Sequence, residues 1–445
     1  MHPLRTIIQP KQLYFMEKKT FFNQQMCGWV FAILCLVSCS NDKEISETPN
    51  ETELQRNHLN APKTRSVEEA KAIAAAFISQ SANNEFGGTK AMRTQAQPSV
   101  QVLTRDSLPL RPSDLKPVER PDTLLYGITY ASGTIMIPAA EDAPTVIGVL
   151  DTPTESLATL IRANNGNNPL YELLKPICDP DIYRLFLENL DFDPLQFLKE
   201  IYGDPIISGS DEEKRLEWEK RKERERYVAP KIPVEWDQHE PFNFYCPNRY
   251  PAGCVAIAAG QAMTITGVPY KDGYNYKNIW KFKNARTMNE NSDLGYVVAH
   301  LIHQIGISVG MEYTLNGSKV KTIKALPLFQ QIGMNISTDI KDIKPTLRDY
   351  QDGIVMVETQ TKRTKTNPDS YIHCFLIDGY RYEVYNNDKR VMLHVNLGWG
   401  PKYNGYFIQN LLSPNFNQSV HPGLENIEEW SYYCIYRSKI QYIYN

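Results

Sequence analysis

The stretch of sequence that decides the fold is residues 249–263, RYPAGCVAIAAGQAM. The small and apolar residues after Gly253 predict a buried helix with Cys254 in its first turn. The thiolate form of cysteine is a nucleophile, and the N-terminus of a helix lowers the pKa of a thiol. Cys254 is therefore a candidate nucleophile, while these residues alone leave open the alternative of a buried structural cysteine.

Downstream of this stretch, the sequence predicts a helix over residues 294–305 and then an antiparallel sheet. A helix that leads into such a sheet is typical of a papain-like α+β enzyme. His373 stands at the start of one predicted strand, which makes it the candidate base for Cys254. The predicted strands are apolar runs at 354–357, 371–378, 391–396 and 432–437.

Upstream, the sequence predicts a smaller α+β unit. Ser66 and Glu69 form a capping-box pattern at the start of a helix. Helical segments are expected near 167–202, and the mixed-charge run at 211–226 favours an exposed helix. The Lys and Arg residues of that run are equally compatible with a protease-accessible linker. The strands of the unit are expected at 100–103, 124–130, 134–137 and 144–150.

The N-terminus has the pattern of an export signal. Two lysines precede a short apolar stretch at 28–37, which is too brief to span a bilayer. The stretch ends in Leu-Val-Ser-Cys at 36–39, a bacterial lipobox pattern that predicts lipidation of Cys39. An ordinary signal peptide that contains Cys39 is the alternative. Met16 is a more natural start than Met1.

Composition excludes several classes of function. The 445 residues include 48 Lys and Arg against 51 Asp and Glu, a net charge of −3, so the chain as a whole lacks the positive charge that nucleic-acid binding requires. His300 and His303 share a helix face, but no pattern of further ligands joins them. We therefore expect no metal, no cofactor and no nucleic-acid partner.

Several segments resemble the streptopain-like cysteine peptidases of family C10. They are RYPAGCVAIAAGQAM, YIHCFLIDGY and LHVNLGWGPKYNGYF, in the order of the family, with VEWDQHEPFN upstream and IGISVGMEYTLNGSKV between. The resemblance covers nearly all of 230–445. Residues 64–160 also resemble, more loosely, the Spi-type inhibitory prodomain of that family.

The resemblance implies a role for each site residue. Cys254 would attack the scissile carbonyl as a thiolate, and His373 would keep it ionised and protonate the leaving amine. The Gln238 side chain and the Cys254 N–H would form the oxyanion hole. Asn396 and Trp399 would flank and orient the imidazole.

Three positions depart from the family pattern. Ile372 and Pro401 stand where glycine is usual, and Leu397 replaces a tryptophan. None of these changes removes a reacting group. They motivate the alternative of a catalytically impaired binding or inhibitory surface protein. A papain-like acyl transferase is a third hypothesis.

Together these features predict a lipid-anchored cysteine endopeptidase made as a zymogen, and the resemblance implies a preference for apolar residues at P2. Its partners would be protein or peptide substrates, its own prodomain as inhibitor, and the bacterial envelope membrane through Cys39. Processing near 205–230 would release the active domain. The predicted segments are a signal at 1–39, a tether at 40–62, a prodomain at 63–165, an activation linker at 166–229 and a peptidase domain at 230–445.

Overall fold

A computed structural model of the chain describes residues 63–82, 98–108, 122–163, 168–178, 183, 187, 226–269, 276–339, 343–360, 372–385, 388–412 and 429–437. The predicted signal and tether lie outside the described residues, as does the charged run at 211–226 except for its last residue. Residues 61–445 form one compact unit.

Seven α-helices lie in the described part of the chain. The capping box predicted at the first of them is confirmed, because the Glu69 N–H donates to Ser66 Oγ (3.2 Å) and the Ser66 N–H donates to Glu69 Oε2 (2.6 Å). The helix predicted at 294–305 is present and extends further at both ends. The helices are α1 Val67–Ala82, α2 Leu157–Arg162, α3 Pro169–Cys178, α4 Cys254–Thr266, α5 Ser292–Val309, α6 Leu326–Gln331 and α7 Ile343–Asp349.

The described strands form one antiparallel sheet. They are β1 Ser99–Thr104, β2 Thr123–Tyr130, β3 Gly133–Pro138, β4 Gly148–Leu150, β5 Tyr227–Val228, β6 Asn335–Ser337, β7 Ile354–Gln360, β8 Ile372–Tyr385, β9 Asp388–Asn396, β10 Gly405–Ile408 and β11 Glu429–Tyr436. Their spatial order is β1-β2-β3-β4-β10-β9-β8-β7-β11-β6, and β5 pairs with β8. The strand predicted at 144–150 is shorter than expected.

The sheet continues from the predicted prodomain into the predicted peptidase domain through the pairing of β4 with β10. In that ladder Gly405 lies opposite Leu150, and Phe407 lies opposite Gly148. A Cβ atom at Gly405 would lie 2.2 Å from the Val149 carbonyl oxygen, so this close approach of the two backbones requires glycine.

Alternation along β7 assigns the two faces of the sheet to two cores. Ile354 and Met356 join the core that contains α4 and α5. Val355 and Val357 join the other core, which also contains Phe77 of α1 and Leu170 of α3. The upstream elements therefore complete the core beneath the sheet of the downstream part.

The α+β class predicted from the sequence is confirmed by these elements. In the described ranges, no helix combines the length and the apolar character needed to cross a membrane.

Candidate active site

Cys254 is the first residue of α4, as the sequence predicted. The preceding Gly253 has φ +92°, and a Cβ atom there would lie 2.6 Å from Met311 Cε, so the entry to the helix requires glycine. Cys254 is 9% exposed. The backbone N–H groups of Cys374, Val255 and Cys254 itself lie near its sulfur and lower the pKa of the thiol. Cys374 directly follows His373, so the Cys254 sulfur lies beside the backbone of the strand that carries the candidate base.

His373 lies at the second position of β8 and is buried. Its Nε2 lies 2.9 Å from the carbonyl oxygen of Leu397. A carbonyl oxygen only accepts, so Nε2 carries the proton and donates, which leaves Nδ1 as the basic nitrogen of the neutral ring. The ring also stacks on Phe375, with centroids 5.9 Å apart. The tautomer is therefore the one that a base requires.

Both groups are neutral in this arrangement. Burial raises the pKa of the Cys254 thiol to about 11, against the N–H donors, which favour the thiolate. Burial also lowers the pKa of His373 to about 4, against its hydrogen bond to Leu397. At neutral pH the site therefore holds a thiol and an imidazole. An ion pair of thiolate and imidazolium would form only if this burial were relieved.

The Asn396 side chain lies in the turn that supplies the Leu397 carbonyl. Its Oδ1 accepts from Gln261 Nε2 (3.1 Å) and from the Gly398 N–H (3.2 Å), and its Nδ2 donates to the Val234 carbonyl (2.9 Å). None of these bonds goes to His373. The orienting role predicted for Asn396 stays a prediction. The group that accepts the hydrogen bond from the imidazole is the backbone carbonyl of the next residue, Leu397.

The other two predicted site residues lie on either side of this turn. The Gln238 carbonyl accepts from the Ala252 N–H (2.8 Å), which holds the half-buried Gln238 beside the entry to α4. The half-buried Trp399 contacts Tyr403 edge-to-face, with centroids 5.7 Å apart. Its buried Nε1 has no hydrogen-bond partner among the described residues. Their roles in the oxyanion hole and in orienting the imidazole stay predictions.

Residues 236–407, which include all five predicted site residues, match the model of the peptidase C10 family. Residues 236–407 are therefore similar to the peptidase C10 family, and we call this segment the C10 domain. Streptopain of Streptococcus pyogenes is 23% identical over 222 residues, an alignment that covers 41% of this chain and 55% of streptopain. The chain thus spans about half the length of the curated relatives it matches.

Two solved structures from Prevotella intermedia also resemble the chain. A fragment of prointerpain A is 14% identical, with a TM-score of 0.42, and the match covers 77% of this chain and 99% of the fragment. Active wild-type interpain A cysteine protease is 18% identical, with a TM-score of 0.35, over 47% of this chain and 94% of that protein.

The three departures from the family pattern lie around the C10 site, and none of them replaces a predicted site residue. Leu397 is fully buried in the core and still presents its carbonyl to His373. Ile372 begins β8 and pairs with Gln360. The Pro401 carbonyl accepts from Thr152 Oγ1 (3.4 Å), a residue of the predicted prodomain.

A charged cluster around the buried His394 was not predicted from the sequence. His394 Nδ1 lies 2.5 Å from Asp378 Oδ1, and its Nε2 lies 2.8 Å from Asp151 Oδ2. Burial disfavours the imidazolium, but the two carboxylates outweigh it and raise the pKa of His394 to about 10. The sequence placed His394 in a strand correctly, but its partners are distant in the chain.

Gln261 is the second residue that sequence reasoning did not single out. It is a fully buried amide within an otherwise apolar helix. The available signal was its polarity in the run VAIAAGQAM, because a buried polar side chain requires hydrogen-bond partners.

The remaining cysteines are separate from this chemistry, apart from Cys374, which lies beside Cys254. Cys374 and Cys434 are both fully buried in strands. None of the five cysteines among the described residues forms a disulfide with another of them.

Proposed function

We propose that the chain is a cysteine endopeptidase that is synthesised as a zymogen. The observation that carries the proposal is the position of the Cys254 thiol, at the first turn of α4 and against the N–H that follows His373. A helix N-terminus and an adjacent imidazole are the two features that activate a thiol nucleophile.

The reaction would proceed by acyl transfer to sulfur. Nδ1 of His373 takes the thiol proton, and the Cys254 sulfur attacks the scissile carbonyl carbon. The Cys254 N–H and the Gln238 amide stabilise the oxyanion. The His373 imidazolium then gives its proton to the leaving amine, and water hydrolyses the thioester to free the second product.

Contacts between the upstream segment and the C10 domain support the zymogen. The Asp151 N–H donates to the Asn404 carbonyl (3.0 Å), and Asn404 Oδ1 in turn accepts from the Leu397 N–H (3.0 Å). Residues 63–163 thus contact the turn that holds His373. Because burial is the main cause of the neutral states of Cys254 and His373, removal of covering residues would favour the ion pair.

Export and anchoring are part of the proposal. The lipobox pattern at 36–39 would place a lipid on Cys39 and hold the zymogen at the bacterial cell envelope, on the outer membrane or the cell surface. Cleavage between that lipid and the C10 domain, in the segment 205–230, would release the active enzyme from the membrane. Protein or peptide chains would be its substrates.

The test is peptide hydrolysis by the purified chain before and after limited proteolysis. We expect iodoacetamide-sensitive cleavage only after processing, and none from Cys254→Ser. The matched control is Cys246→Ser, which alters another buried free thiol and should leave the activity unchanged. N-terminal sequencing of the processed product locates the cleavage site.

Two outcomes would contradict the proposal. If the processed wild-type protein cleaves no peptide and its Cys254 does not react with a thiol-directed probe, the impaired binding protein is favoured. If Cys254→Ser retains the cleavage, the nucleophile lies elsewhere.

A further inference from the structure

Gln261 joins three segments of the C10 domain through one side chain. It lies in α4 seven residues after Cys254, about two turns along the same face of the helix. Its Oε1 accepts from the Trp236 N–H (2.8 Å), and its Nε2 donates to Asn396 Oδ1 (3.1 Å). The amide is fully buried, so both bonds form away from water.

The orientation of this amide is fixed by the groups around it. A backbone N–H only donates, so the atom that faces Trp236 is the oxygen of Gln261. Asn396 is fixed in the same way, because its Nδ2 faces the Val234 carbonyl and its Oδ1 faces the Gly398 N–H. The Nε2 donor of Gln261 therefore meets an acceptor, and flipping either amide would set like groups against each other.

The first path from Gln261 leads to the base. Asn396 Oδ1 accepts from both Gln261 and Gly398, and the residue between Asn396 and Gly398 is Leu397, whose carbonyl accepts from His373. Gly398 has φ +68°, and a Cβ atom there would lie 3.3 Å from Ile257 Cγ2 of α4. The turn thus packs on the catalytic helix at the level of Gln261.

The second path leads to the predicted oxyanion hole. The Trp236 N–H donates to Gln261, and the Trp236 carbonyl accepts from the Gly400 N–H (3.1 Å). Gln238 follows two residues later and bonds to Ala252 at the entry to α4. The Gln261 amide therefore connects the helix of the nucleophile with the segment of Gln238 and with the turn whose carbonyl accepts from the imidazole.

We propose that Gln261 is a positioning residue for catalysis, an inference that rests on the peptidase activity proposed above. It touches neither the substrate nor the reacting atoms. It acts by fixing the Leu397 carbonyl and the Gln238 segment relative to Cys254. Because a displacement of about 1 Å in a catalytic group can lower a rate about 100-fold, its loss should affect the chemical step more than substrate binding.

The experiment compares three variants of the full chain after processing. Gln261→Met keeps the length of the side chain and removes both hydrogen bonds. Gln261→Glu keeps an acceptor for the Trp236 N–H and removes the donor to Asn396. Thr266→Val is the matched control, because Thr266 is also fully buried in α4 and its hydroxyl donates locally, to the Ala262 carbonyl (3.0 Å).

Three quantities are measured for each variant: kcat and KM for a peptide, the rate of Cys254 alkylation by iodoacetamide against pH, and the thermal midpoint. For Gln261→Met we expect kcat to fall about 10- to 100-fold with KM within about threefold, and the alkylation midpoint to move to higher pH. For Thr266→Val we expect a lower thermal midpoint and unchanged kcat and alkylation.

The proposal is overturned if Gln261→Met changes kcat no more than Thr266→Val does, or leaves the alkylation profile in place. If Gln261→Met does not fold, the kcat and the alkylation profile of Gln261→Glu test the proposal instead. The alkylation readout separates the two proposals. Absence of peptide cleavage by the processed wild-type protein refutes the peptidase, whereas the pH profile of Cys254 still tests the positioning role.

Discussion

The ion pairs of the buried His394 with two aspartates predict how the zymogen responds to the loss of one charge. Asp151 belongs to the predicted prodomain, whereas His394 and Asp378 belong to the C10 domain. Asp378 is fully buried and also accepts from the Ile232 N–H (2.8 Å). The perturbation is Asp151→Asn, which retains a hydrogen-bond acceptor and removes the charge.

The magnitude follows from the geometry. Two unit charges about 4 Å apart interact by about 4 kcal/mol at an effective dielectric constant of about 20. The Asp151 side chain is 35% exposed, so solvent screens part of this energy, and His394 keeps its bond to Asp378. We therefore expect Asp151→Asn to lower the free energy of unfolding by about 1–3 kcal/mol at neutral pH.

The sign of the pH dependence follows from the raised pKa of His394. A group whose pKa in the folded protein lies near 10, above its ordinary value of 6.5, stabilises the fold fully below about pH 6.5. That contribution is lost as the pH rises through about 10. In Asp151→Asn the pKa of His394 should be lower. The decrease in the free energy of unfolding with rising pH should therefore be smaller and should occur at lower pH.

The assay is urea unfolding of the full chain, followed by tryptophan fluorescence between pH 6 and pH 10. Glu155→Gln is the matched control, because Glu155 is an exposed carboxylate of the same segment. If Asp151→Asn and Glu155→Gln unfold at the same urea concentration at every pH, the charged group does not stabilise the zymogen and the reasoning is wrong.

Three further predictions concern the ladder between β4 and β10, the upstream segment and the nucleophile. Gly405→Ala should separate β4 from β10 and increase protease sensitivity of residues 63–163, whereas Gly127→Ala, whose Cβ atom would meet only ordinary contacts near 3.5 Å, should not. The Arg65 guanidinium donates to four backbone carbonyls, those of Pro138, Ala140, Glu141 and Ala143. A lysine ammonium cannot make this planar set of bonds, so Arg65→Lys should lower the free energy of unfolding, measured by thermal unfolding, by at least about 2 kcal/mol. In the unprocessed chain, Cys254 should react with iodoacetamide slowly at pH 7 and with a midpoint near pH 11, and a midpoint near neutrality would contradict the buried thiol.

Local patterns allowed parts of the fold and site to be predicted. The capping box at Ser66 needs only four residues, and both of its hydrogen bonds are present. The helix that begins at Cys254 follows from a run of small residues after a glycine. The strand at His373 follows from its apolar residues. Each of these features is decided by residues that are near one another in the chain.

Pairings between distant residues could not be predicted. The ladder between β4 and β10 joins segments more than 250 residues apart, and β4 has only three residues, too few for a recognisable alternation. The bond of His394 to Asp151 could not be predicted for the same reason, because it joins distant residues and the neighbours of neither residue indicate a charged partner. Gln261 was visible in the sequence, but its partners depend on the packing of α4 against two other segments.

The ladder between β4 and β10 has a consequence for the processed enzyme. β10 pairs with β9 on one side and with β4 on the other. If residues 63–163 depart after cleavage, the backbone of β10 from Gly405 to Phe407 becomes an open sheet edge. Such an edge accepts another extended chain by backbone hydrogen bonding alone. The departing segment would therefore compete with any other extended strand for the same edge, and a processed enzyme that keeps its cleaved segment bound would be protected from self-association.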